Sequence, residues 1–73
     1  KLMTKKPKVG DLLRFEDHNY CIVIRQVQEY DGDWSWDLHW IMSINPKWND
    51  DEASRNRYCM EHFGYDSWVN LSR

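Results

Sequence analysis

The chain is poor in the features that divide or anchor a polypeptide. Among its 73 residues are only three glycines, two prolines and two cysteines. No internal repeat, low-complexity tract or linker-like stretch breaks it up, which excludes a repeat array and a tethered multidomain layout. No run approaches the roughly 18 consecutive apolar residues of a membrane-spanning helix. The start lacks the apolar core and cleavage pattern of a secretory signal, so the two cysteines are expected as reduced thiols in a cytoplasmic setting, with no membrane partner. A broad positive surplus is missing as well. Residues 1–8 carry +4 and residues 9–73 carry −6, which gives the net −2 of the whole chain. An acidic body lacks the field that supplies most nucleic-acid affinity, so nucleic acid ranks below a protein partner.

What remains is 41% hydrophobic, 30% charged and 15% aromatic, with five tryptophans. That composition in so short a chain fits one domain with one core, of net stability roughly 4–11 kcal/mol at ~0.05–0.15 kcal/mol per residue. A two-domain enzyme is excluded by length. Residues 1–7 read as a basic tail, with Lys1-Leu2 expected to be additions ahead of a natural start at Met3, and 8–73 read as the domain.

Along the domain the dominant beat is two residues. Val9, Leu13 and Phe15 fall on one side of a first strand, with Arg14 and Glu16 opposite. Asp17-His18-Asn19 is a polar turn, and the β-branched run from Tyr20 to Tyr30 is a long second strand. Asp31-Gly32 tolerates positive φ and predicts a hairpin. Trp34, Trp36, Leu38, Trp40 and Met42 then take every second position of a third strand, which Asn45-Pro46 ends. Asn49 and Glu52 have capping-box spacing and predict a helix over 50–62, stopped by Gly64. Residues 65–71 predict a short closing strand. The expected fold is mainly β: a small SH3-like barrel of four to five antiparallel strands with one short helix before the last.

The residues that set this order are Val9-Gly10-Asp11-Leu12-Leu13-Arg14-Phe15, Cys21-Ile22-Val23-Ile24, the tryptophan-rich third strand and Asp66-Ser67-Trp68-Val69-Asn70-Leu71. Together they resemble the small SH3-like barrel proteins encoded by tailed bacteriophages, including those of marine cyanobacteria. The resemblance covers residues 8–72 and implies binding or assembly rather than catalysis, in the host cytoplasm. The stretch around 45–64 departs from the shortest members. The paired-tyrosine motif with which signalling domains grip proline-rich peptides is not found.

Several constellations carry chemistry. His18 and Cys21, mirrored by Cys59 and His62, supply two pairs of zinc ligands at matched spacing. Residues three apart on a strand face opposite ways, however, so Cys21 is better read as a small buried hydrophobe. A Cys–His nucleophilic pair drawn from Cys21 or Cys59 with His39 or His62 has no identifiable oxyanion hole, and no enzyme is expected. The acids from Asp31 to Asp37 begin like a calcium loop, but Trp36 stands where glycine is needed and Met42 where the bidentate acid is needed.

The tryptophans are read first as core. Those left over are expected to form an aromatic surface with an acidic rim, made of Tyr30, Asp31, Asp33, Trp34, Trp36 and Trp48, for a protein partner or a second copy. Acids beside such rings also suit a methylated lysine. Base stacking beside Arg14, Arg25, Arg55, Arg57 and the Lys5-Lys6-Lys8 tail is the nucleic-acid alternative, and a small zinc-stabilised domain is the third reading. No cofactor is expected.

Overall fold

Alternation at every second residue forces a strand to present two different faces. The computed structural model describes residues 6–44 and 55–72, with Arg55, His62 and Phe63 described in backbone only. The elements are β1 (Leu12–Phe15), β2 (Asn19–Gln28), β3 (Trp34–Met42), β4 (Arg55–Tyr58), α1 (Met60–Phe63) and β5 (Trp68–Asn70). All five strands lie in one antiparallel sheet in the order β4-β3-β2-β1-β5. The expected mainly β architecture, with a short helix before the last strand, is therefore what the chain adopts.

The inner face gathers Leu13, Cys21, Val23, Trp36, Leu38, Trp40, Met60 and Trp68. Cys21 is fully buried between its cross-strand partners Leu13 and Trp40, as its reading as a small hydrophobe requires. Sheet curl brings the two outer strands of the order together through their side chains. Tyr58 of β4 meets Trp68 of β5 at 5.3 Å between ring centroids, and Phe15 lies 4.7 Å from Trp68 and 6.3 Å from Tyr58. Among the described residues no ladder joins β4 to β5; aromatic rings occupy that seam of the curled sheet.

The chain departs from expectation in three places. Val9 is not in β1: it sits in a turn, 59% exposed, because Gly10 at φ 94° breaks the alternation before Asp11. In the hairpin only Gly32 takes positive φ, with the Glu29 N–H donating to the Asp33 carbonyl at 2.7 Å to close a three-residue loop. The helix expected over 50–62 is corrected within its described part: 55–58 is a strand, and helix is confined to the single turn 60–63. Arg57 falls opposite Asp37 in that strand, and Tyr58 opposite Trp36, so pairing with β3 outweighs a weak helical stripe that could not stand alone. The Asn49–Glu52 capping pair lies outside the described residues.

Both ends of the described body are tied together. The buried Asp11 carboxylate accepts the Lys8 N–H at 2.8 Å and the Asn70 amide at 2.9 Å. Ser72 Oγ accepts the Leu12 N–H at 2.9 Å, and the Ser72 N–H donates to Asn70 Oδ1. A buried carboxylate needs such donors, and these come from opposite ends of the chain.

The seam makes the first prediction. Trp68→Ala should cost about 3–5 kcal/mol and Trp68→Phe clearly less, while Tyr30→Ala at the exposed hairpin tip should stay within about 0.5 kcal/mol. Urea unfolding of the three variants measures the ranking.

Candidate functional site

The hairpin end is where the sequence places its aromatic surface, and the structure divides that set. Tyr30 stands entirely in solvent at the tip. Beside it Asp31 Oδ1 accepts the Asp33 N–H at 3.0 Å, and Gln28 Nε2 donates to the Gly32 carbonyl, so the two acids are held close to the turn. Trp34 is half-buried against the core. Trp36 is not a surface residue: it is 0% exposed, and its indole N–H donates to the Pro7 carbonyl at 3.1 Å. It leaves the expected contact set because a strand whose even positions face inward cannot spare its central ring. Trp48 lies outside the described residues.

Three residues upstream of the domain's first turn take part in this end. Pro7 is buried and Lys6 lies over the Trp34 ring, 5.3 Å from its centroid, so residues 6–8 form a strap across the inner face rather than a free tail.

Among the described residues the zinc ligands are not brought together. Cys21 is in the core, His18 is in the exposed turn before β2, and the Cys59 thiol donates to the Trp34 carbonyl at 3.3 Å. The His62 side chain lies outside the description. Among the described residues no three His, Cys, Asp or Glu side chains cluster as a metal would need.

Two features were missed from sequence, and both lie on the outer face of the sheet. The first is an ionic ladder across β2, β3 and β4. Asp37 accepts from Arg25 Nε at 2.8 Å and from Arg57 Nε at 2.8 Å, and Arg57 also reaches Glu29 at 3.8 Å. The Arg57 guanidinium, then that of Arg25, holds the Asp37 carboxyl below the usual range against the opposing effect of its own burial. The second is an open cleft of about 570 Å³ lined by Leu12, His18, Tyr20, Ile41, Met42, Ser43 and Ile44. Here Ile41, Met42 and Ile44 are 52%, 59% and 71% exposed.

The cleft owes its shape to two local devices. Tyr20 pairs with Met42 and Cys21 with Trp40, so Ile41 is an extra residue in β3, a bulge that turns Met42 outward against its expected inward place. Asn19 then fixes the strand's exit: its Oδ1 accepts from Ser43 Oγ at 2.6 Å and from the Ile44 N–H at 3.3 Å, while its amide donates to the Phe15 carbonyl. A second bulge at Ile24 separates the cleft from the ionic ladder.

Comparison with protein-family models, curated proteins and solved structures finds no match, so nothing outside the chain assigns a role to these residues.

Two outcomes follow from the titrating groups. Because the Asp37 pKa is lowered on folding, its stabilisation is complete above the unfolded carboxylate value and is lost as pH falls through the folded one. Asp37→Asn should therefore destabilise the protein by about 1–2 kcal/mol at neutral pH, toward the low end for charge-assisted bonds because both guanidinium groups are well exposed. The gap from wild type should shrink as pH falls below the unfolded carboxylate value, as followed by chemical denaturation. Burial pushes the Cys21 thiol up to about 12. Under native conditions near pH 8 an alkylating reagent should label Cys59 and leave Cys21 at least about 100-fold slower, both reacting in denaturant; mass spectrometry of the digested protein reads the sites.

Proposed function

We propose that this chain is a non-enzymatic interaction module that associates with a second copy of itself through the outer-face cleft. The observation that carries this is the row Ile41, Met42 and Ile44, each more than half exposed, adjoining Leu12 and Tyr20. Contiguous apolar surface of this kind on a small domain marks a contact site.

Charge favours a second copy as the occupant. Among the described residues that line the cleft there is no Lys, Arg, Asp or Glu, so two copies can face one another across a two-fold axis without like-charge repulsion between them. The hairpin end, with Glu29, Asp31 and Asp33 together, would repel its own copy. A standard interface takes roughly 800 Å² from each partner. That is a large share of the 5116 Å² this chain exposes, so the cleft alone supports weak association. The phage origin and cytoplasmic setting are part of the same reading and are supported only by the resemblance of the strand motifs.

The nucleic-acid alternative draws less support, because Lys6, Arg14, Arg25 and Arg57 are each engaged by acceptors or rings of the chain itself.

Sedimentation velocity from about 10 µM to about 1 mM tests the reading, with a dimer constant on the order of 100 µM expected. Met42→Lys should abolish the mass increase, and Tyr30→Ala should leave it intact. A monomer throughout, or a dimer indifferent to Met42→Lys, would overturn it.

A further inference from the structure

At the opposite end of β3 from the cleft, the chain holds one of its own lysines in a way that points to a ligand. The Lys6 ammonium lies over the face of Trp34 and 3.8 Å from Glu61 Oε1. That oxygen is not free to swing, because it also accepts the Trp34 backbone N–H at 2.7 Å. The Cys59 thiol pins the Trp34 carbonyl from the other side, so ring and carboxylate are positioned by β3 and by the turn entering α1, independently of Lys6. Next to the lysine, Pro7 fills a fully buried seat and offers its carbonyl to the Trp36 indole. An aromatic face, an oriented carboxylate and a proline seat closed by one indole donor make a complete receptor for a short extended segment.

We infer that this notch recognises a lysine side chain on an extended, proline-bearing segment of another protein, and that the chain's own Lys6-Pro7 is its resident occupant. The acids of the hairpin end, Asp31 and Asp33, are neighbours of Trp34 in sequence and favour a basic visitor over an acidic one. The lysine end of the strap holds its place by few contacts. Lys6 is 46% exposed and Glu61 28%, and the ion pair is long, so the lysine contributes about two- to fivefold to occupancy. The buried Pro7, its carbonyl bond to the Trp36 indole and the tether supply the rest, the tether through a local concentration on the order of millimolar. A visitor that brings its own lysine, proline and carbonyl replaces each of these contacts and has only the tether to overcome. Trp34, chosen from sequence as a contact residue, becomes one by way of its ring face rather than as part of a broad aromatic patch.

The full-length protein tests this with a synthetic peptide of residues 1–8 as the probe, added to several-fold above about 1 mM while the indole N–H resonances of Trp34 and Trp36 are followed. Saturable shifts of both are expected. Lys6→Ala protein should bind the peptide about two- to fivefold more tightly than wild type, since its resident is weakened. A peptide carrying Lys6→Ala should bind about two- to fivefold more weakly, a comparison that leaves the receptor's fold untouched. Absence of shifts in both proteins, or binding indifferent to the peptide's lysine, would overturn the inference. Shifts that instead track protein concentration, accompany a dimer and are reversed by the peptide would overturn the foreign occupant and assign the notch to a second copy's strap. Because Met42→Lys does not touch the notch, such a dimer survives that substitution and is distinguished from association through the cleft.

Discussion

β3 is the strand on which the rest of the molecule depends, because it must satisfy two incompatible faces at once. Inward it carries Trp36, Leu38 and Trp40; outward, between them, it carries the carboxylate of Asp37. A slip of one residue would bury the charge and expose the rings, so its register is fixed by both errors together. Its neighbours follow from that. β2 must bring Arg25, and β4 must bring Arg57, to the one carboxylate between them. The indole N–H of Trp36, buried with the ring, needs an acceptor, and the Pro7 carbonyl provides it. The order of residues 6–8 is thus a consequence of where one tryptophan must sit.

Much of this was legible in advance. The alternation of β3 identifies its inner face, the β-branched run identifies β2, and Asp31-Gly32 marks the reversal between them. β4 was not legible, for a physical reason: Arg55-Asn56-Arg57-Tyr58 has no apolar beat, and it becomes a strand because the Asp37 carboxylate of the preceding strand waits opposite Arg57. The Asp11 network was missed because its Asn70 donor lies 59 residues along the chain. The cleft was missed because a bulge leaves no mark in composition: an extra Ile41 reads as part of a regular strand until the pairing of Tyr20 with Met42 is known.

The two bulges also divide the outer face. Ile24 and Ile41, the two inserted residues, each expose an apolar side chain where the ladder loses step. On one side of this division lies the ionic ladder, and on the other the cleft of Ile41, Met42 and Ile44. A domain of this size uses its large rings internally, with Trp36, Trp40 and Trp68 all in the core. Among the described residues, what it leaves for contact is mainly aliphatic, with the Trp34 ring half-buried and Tyr30 alone at the hairpin tip. The aromatic richness of the sequence describes how the protein folds more than what it touches.

The clasp between Asp11 and Asn70 has a kinetic meaning. The β2–β3 hairpin closes over a three-residue loop and can form early, whereas the clasp must close nearly the whole chain into a ring. Loop-closure entropy places such a contact late in folding and makes it early to open. The buried carboxylate that joins the two ends thus acts as the last latch of assembly, and the first turn and final strand are the segments that should exchange their amide hydrogens before the central hairpin does.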